Sequence, residues 1–288
     1  MNTFIKSIFL FLTIISISSC TKDEVKPAAN QVTLKFNNTF KGNSIVLGDA
    51  NSATATSNTS AAGQLHHFSE LKYVISNIRL VKADGTEFPY HILDLDKGAT
   101  VIDQAKPQTL NFILQQIPAG TYKTLKFGLG IKTELNVLDQ SKFPGFYANA
   151  GANDTKMMWE WGTGYRFTKI EGFYTADHKT LSIHTGSTVA GKEGAYKQGV
   201  DAYRDITLSL DTQAQVGKTA PVITIHADFD KLLSGKLHTI TLSTGTSNAD
   251  NATPNIHTAV QMLKFVDNLA GNGTNDLTGM FSISNVEN

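Results

Sequence analysis

The chain has 288 residues, 41% of them hydrophobic, and its 25 basic side chains balance 25 acidic ones. That is enough apolar material to pack one large domain or two small ones, and it excludes global disorder. Balanced charge disfavours nucleic-acid binding through a basic face, and a lone cysteine excludes an internal disulfide scaffold, a Cys-rich zinc site, an iron–sulfur cluster and covalent haem attachment.

Residues 1–19 read as a signal peptide, with Lys6 as the positive charge and an apolar run over 8–17 that is too short to span a bilayer. The run ends in Ile17-Ser18-Ser19-Cys20, which resembles the lipobox of bacterial lipoproteins. A thiol directly after small residues is the group that lipoprotein processing diacylates, before the peptide is cut and the new amine acylated. Several acyl chains make a durable anchor where a single chain does not. Residues 20–30 then read as lipidated Cys20 and a polar tether, and 31–288 as one β-domain held off the membrane. The expected address is the outer membrane, on its periplasmic or surface-exposed side.

From there the hydrophobic period is two. Val32, Leu34 and Phe36 alternate with polar residues, and the small polar stretch 49–63 reads as a loop. Residues 71–82 form the strongest strand. Its apolar phase runs Leu71, Tyr73, Ile75 and then shifts to Ile78 and Leu80, which predicts a bulge at Ser76-Asn77. Asp84-Gly85 predicts a tight hairpin. Further strands are expected at 91–95, 109–114 and 122–131, with 136–155 irregular or partly helical. Strands resume at 165–174, 180–184, 203–210 and 221–229. Ala259, Met262, Leu263, Val266 and Leu269 then fall at helical spacing, with Gly271 as a C-cap, and 279–286 reads as a last strand. About ten short strands without strand–helix alternation predict an all-β fold, an antiparallel sandwich or barrel-like single domain with one short C-terminal helix.

No G-x-S-x-G, H-E-x-x-H or G-x-G-x-x-G occurs, and Gly217-Lys218-Thr219 lacks the upstream glycine of a phosphate loop, with Thr212 in its place. Nothing supplies a nucleophile with a placed base, so the chain is not expected to be an enzyme. Two features carry chemistry. One is Met157-Met158-Trp159-Glu160-Trp161-Gly162-Thr163-Gly164-Tyr165-Arg166-Phe167, which sets both tryptophans of the chain two apart. If extended, they share a strand face about 6–7 Å apart. The other is the set of eight histidines without thiolate partners.

His184 closes a strand on the side opposite Leu181 and Ile183. His226 faces away from Ile223, Ile225, Ala227 and Phe229, and His257 precedes the helix after Pro254-Asn255. For each one alone, a solvated or locally hydrogen-bonded imidazole is the commoner reading. Together, imidazoles without thiolates suit copper, zinc or nickel, and the thioethers of Met157 and Met158 favour Cu(I). The expected metal set is His184, His257 and His226. The alternative is a metal-free surface module that stacks glycans or protein partners on the indoles.

Residues 68–80 (FSELKYVISNIRL), 158–172 (MWEWGTGYRFTKIEG) and 181–187 (LSIHTGS) together resemble the MbnP-like family. These are copper-binding proteins associated with methanobactin operons, and their lipoprotein relatives. The spaced similarity runs from about Val32 to Ser284, and Trp-x-Trp-x-x-Gly-Tyr-x-Phe is its most specific part. The resemblance implies an extracytoplasmic all-β domain whose cofactor is copper. It also implies a tryptophan oxidised to kynurenine by a partner dihaem peroxidase of the MauG type. Trp159 and Trp161 both match the motif, so either is a candidate for that modification. His184 matches the histidine before the turn, and His257 the histidine before the C-terminal helix. Two departures stand out: residues 187–203 hold no cysteine pair, and no histidine lies between Phe143 and Tyr174.

Overall fold

The computed structural model describes residues 29–151, 155–159, 164–192, 194–242, 255–256, 259–271 and 279–288. The signal peptide, Cys20 with most of the tether, Trp161 and His257 therefore lie outside the described residues.

The elements follow in chain order. β1 (Gln31–Phe40), β2 (Asn43–Ser44), β3 (Asn58–Thr59), β4 (Leu65–Lys82) and β5 (Glu87–Tyr90) lead to α1 (Leu95–Gly98). β6 (Thr100–Asp103), β7 (Asn111–Gln115) and β8 (Gly120–Leu129) lead to α2 (Thr133–Asn136) and α3 (Pro144–Ala150). After them come β9 (Thr168–Tyr174), β10 (Lys179–Thr185), β11 (Val189–Ala190), β12 (Lys197–Gln198), β13 (Arg204–Val216) and β14 (Val222–Asp228). β15 (Asn255–Ile256), α4 (Ala259–Ala270) and β16 (Phe281–Glu287) complete the described chain.

Two main sheets form an all-β sandwich. The larger runs β13-β8-β4-β9-β10-β15, with β3, β5 and β6 also on β4; the smaller runs β16-β14-β1-β2, with β7 on β1. β4 is the spine of the larger sheet. It pairs with β9 and then β8 along one edge, and with β6 and β5 along the other. The bulge predicted at Ser76-Asn77 is present: the β4–β8 register shifts between Ser76 and Arg79, and Asn77 takes φ +51°. The turn at Asp84-Gly85 closes the β4–β5 hairpin, with Gly85 at φ +90°.

The sheets are joined by rings. Tyr73 of β4 meets Phe36 of β1 at 6.1 Å and Phe281 of β16 at 5.9 Å, and Phe127 of β8 meets Phe281 at 5.0 Å, all edge-on. Such edge-to-face pairs add to the burial itself. β4 is also buried on its other face, continuously from Leu71 to Ile78. A two-layer sandwich would leave that face wet; here α1 packs against β4, Lys72 reaches the Thr155 carbonyl, and the Val74 amide donates to the Phe167 carbonyl.

The structure corrects the sequence expectation in three places. The pairing is not wholly antiparallel: β1 runs parallel to β14 from Thr33↔Val222 to Thr39↔Asp228, and β10 runs parallel to β15. Alternation assigns side chains to faces and is blind to strand direction. The C-terminal helix has company, since α1, α2 and α3 are helices of four to seven residues, too short to show a 3.6-residue period. Residues 91–95 do not form a strand. β5 stops at Tyr90, His91 takes φ +44°, Leu93 is 73% exposed, and Asp94 caps α1 by accepting from the Asp96 amide at 3.0 Å. The capping carboxylate outcompetes a weak alternating pattern.

One pH effect follows from the packing. His66 of β4 is buried against Phe40 at 5.1 Å and donates from Nδ1 to the Gln64 carbonyl at 3.3 Å. Burial lowers its pKa, outweighing the Gln64 bond and Asp230, which raise it. The unfolded chain then binds this proton more readily than the folded one. Stability should be fully present above about pH 6.5 and decline as the pH falls toward the lowered folded value. Urea midpoints at pH 7.5 and pH 5.0 check this, and His66→Asn should make the decline shallower.

Candidate functional site

The covered outer face of β4, β9 and β10 carries charge in a regular weave. Across it, Lys72 pairs with Lys169 and Lys169 with His184, while Glu70 pairs with Glu171 and Glu171 with Ser182. These positions alternate with the core-facing Leu71, Tyr73, Ile170, Leu181 and Ile183, so strand periodicity alone places them together. The cover is pinned by polar bonds. Lys72 Nζ donates to the Thr155 carbonyl at 3.3 Å, and Asn136 Oδ1 accepts from the Tyr165 amide at 3.0 Å. Asp96 Oδ1 accepts from the Phe146 amide at 2.7 Å, and the Arg166 amide donates to the Met157 carbonyl at 2.9 Å.

His184 sits at the end of this weave and is only 4% exposed. It faces away from the apolar set, as its strand position predicts, yet it is buried because that face is covered. Its Nε2 lies 2.9 Å from Glu171 Oε1 and 3.3 Å from Ser182 Oγ. The bond from His184 holds the Glu171 carboxyl down to about 2, against the opposing effect of burial and with help from Lys169. An ionised carboxylate only accepts, so Nε2 donates to it. This carboxylate–imidazole arrangement is the one that orients metal-binding histidines.

Two residues beyond His184, Gly186 is where three elements converge. Its amide donates to the Met262 sulfur of α4 at 3.3 Å. A Cβ there would lie 2.6 Å from the Tyr165 carbonyl oxygen and 2.9 Å from Cζ2 of the Trp159 indole, so only glycine lets the indole approach. Trp159 is 5% exposed, with the Arg166 guanidinium 5.3 Å from its ring centre. Its indole offers no open face to a sugar, which counts against the surface-stacking alternative.

The structure thus brings His184 and Trp159 to one place. It does not bring His226 there. His226 is half-buried on β14, paired with Asn37 and Ser282 in the smaller sheet, and faces away from Ile225 and Ala227. The whole sandwich core separates it from His184, and stacked sheets are about 10 Å apart before outward side chains are counted. His257, Trp161 and Cys20 lie outside the described residues. The described residue before His257, Ile256, pairs with Ile183, the residue before His184. Met157 is buried and Met158 half-buried beside Tyr165.

Sequence reasoning missed Glu171 and Met262 as members of the site. The signal for Glu171 was there, since Lys169 and Glu171 form a charged alternate phase on the strand expected at 165–174. Met262 looked like helix core, and it is. Among the described residues, no group of three or more His, Cys, Asp or Glu gathers as a metal cluster. The donors around Gly186 are an oriented imidazole and a thioether without thiolate, a set whose chemistry fits a soft or borderline ion such as copper.

A family described as MbnP matches residues 29–262 of the chain. Among solved structures, MbnP from Methylosinus trichosporium superposes with a TM-score of 0.57 at 17% identity, covering 88% of this chain and 98% of that one. At that identity the likeness speaks for the fold alone. No curated protein matches.

Proposed function

Since the chain belongs to the MbnP family, we propose that it is an extracytoplasmic, lipid-anchored copper-binding protein whose metal is held by His184 and His257. The observation that carries this reading is the pairing of β10 with β15. It aligns the backbone leading into His184 with the backbone leading into His257, in the same direction, beside the Trp159 indole. Glu171 orients the first imidazole, and the covering segment keeps water from it. Copper would supply one-electron chemistry to the site when bound. Trp159 or Trp161 is the residue oxidised to kynurenine, by a partner dihaem peroxidase whose own cofactor does the oxidation. The chain itself is a binding protein rather than an enzyme. Cys20 carries the anchor, and Cys20→Ser should release the protein from the membrane fraction.

Calorimetric titration of the purified protein with Cu(I) and Cu(II) tests the metal reading. One equivalent should bind with a dissociation constant below about 1 μM, and His184→Ala should weaken it by about 100-fold, while His226→Ala leaves it unchanged. Binding no tighter than micromolar, or a His184→Ala protein that binds like the parent, would overturn the assignment. Co-expression with a dihaem peroxidase should give a tryptophan peptide that has lost one carbon and gained one oxygen; intact indoles would remove that part.

A further inference from the structure

A cavity of about 440 Å³ lies apart from β10, bordered by α1, β6, α3 and the 3-10 turn at Pro107–Leu110. That volume is in the range of small-molecule sites. Leu95, Ala99, Val101 and Phe146 give it a buried apolar wall. Asp103, Lys106, Gln108 and Asn149 supply its polar side.

Asp103 is 2% exposed and firmly held. Its amide donates to Thr109 Oγ1 at 2.9 Å, and its Oδ1 accepts from the Ala105 amide at 3.0 Å. No hydrogen-bond donor among the described residues reaches Oδ2. The ammoniums of Lys72 and Lys106 stop 3.7 and 3.9 Å away. Lys72 is drawn off by Glu70 at 2.8 Å and by the Thr155 carbonyl at 3.3 Å. The Lys106 side chain is 33% exposed, so it is the one with room to move. A buried carboxylate oxygen without a donor is costly, and the gap at Oδ2 marks where a donor is missing.

Charge narrows what can supply it. The ion pairs behind the cavity set Lys72, Lys106 and Lys169 against Asp103, Glu70 and Glu171, three to three. A balanced set draws neither a cation nor an anion. A carboxylate only accepts and an ammonium only donates, whereas a hydroxyl does both from one atom. Once the lysine stem gives way, a hydroxyl oxygen can sit about 2.8 Å from both Oδ2 and Lys106 Nζ, which are 3.9 Å apart. The amides of Gln108 and Asn149 also donate and accept, and at the mouth Asp96 gives one oxygen to the Phe146 amide at 2.7 Å and has a second to offer.

We propose that this cavity is a binding site for a neutral saccharide, one pyranose unit deep. Its hydroxyls bond Asp103, Lys106 and the two amides, and the C–H face of its ring lies on Val101 and Phe146. The site shares no residue with the copper reading and does not depend on it.

The test titrates the full chain with the methyl glycosides of glucose, galactose and mannose, by calorimetry and saturation-transfer NMR. At least one should bind with a dissociation constant below about 1 mM, with its ring C–H protons the most strongly saturated. Asp103→Asn and Lys106→Met should each weaken binding about tenfold, the loss of one charge-assisted hydrogen bond. Ala148 is exposed and lines the cavity, so Ala148→Trp should fold like the parent and abolish binding by filling the space. It decides the matter even where Asp103→Asn does not fold. Three results would overturn the site: no glycoside bound tighter than about 10 mM, which leaves water as the occupant; a glycoside bound equally by the Ala148→Trp protein; or glycine or alanine bound there in place of the glycosides.

Discussion

Tyr73→Ala is expected to destabilise the fold by about 4 kcal/mol, the range for emptying a buried aromatic site. Tyr73 is fully buried at the middle of β4, where its ring meets Phe36 at 6.1 Å, Phe229 at 5.9 Å and Phe281 at 5.9 Å. Those rings come from the opposite layer, so no single strand can move in to fill the gap. The hydroxyl donates to Asn38 Oδ1 at 2.8 Å, and burial holds the phenol neutral by raising its pKa well above the usual value. Tyr73→Phe keeps the ring and loses only that bond, and should cost about 1–2 kcal/mol. Urea denaturation of the three proteins checks both values. Equal losses would mean that the hydrogen bond, and not the inter-sheet packing, holds the layers together. The neighbouring Lys72 is on the opposite face of the same strand, so a loosened β4 also reaches the charged weave.

Gly172→Ala is expected to cost about 2–3 kcal/mol and to disturb the candidate site with the fold. Gly172 lies in β9 between Phe68 of β4 and Leu181 of β10. A Cβ there would press into the backbone carbonyl of His67, with the Phe68 Cα at 2.8 Å. A side chain could rotate away, but a backbone carbonyl in a ladder cannot without parting β4 from β9. The register between these strands already shifts between Phe68 and Glu70, so the strain falls beside Glu70 and Glu171. The denaturation midpoint should therefore drop together with copper affinity. A lowered midpoint with unchanged copper affinity would show that the weave holds its geometry despite the parted strands.

Several elements were legible because their signals are local. The phase shift around Ser76 and Asn77 marked the bulge, Asp84-Gly85 marked the hairpin, and the spacing of Met262, Val266 and Leu269 marked α4. Steric rules within a few residues write those features, and they hold wherever the segment is packed. The 91–95 error has the same root. Alternation and capping are both local signals, and near Asp94 they disagreed.

For the candidate site, residue types and faces were readable and partners were not. Alternation alone put His184 opposite Leu181 and Ile183, and His226 opposite Ile225, and both assignments of face agree with the structure. Local periodicity, however, treats the two histidines alike. Whether an outward face meets solvent or a cover depends on where a distant segment folds. Here Trp159 packs at Gly186, two residues beyond the buried His184, while His226 stays on the far sheet. The charged weave draws on residues from Glu70 to His184, and only the registers between strands turn that scattered set into neighbours. Strand periodicity and family likeness are properties of the chain as written; burial, register and the neighbours of an imidazole arise when segments remote in sequence are brought within a few ångströms of one another.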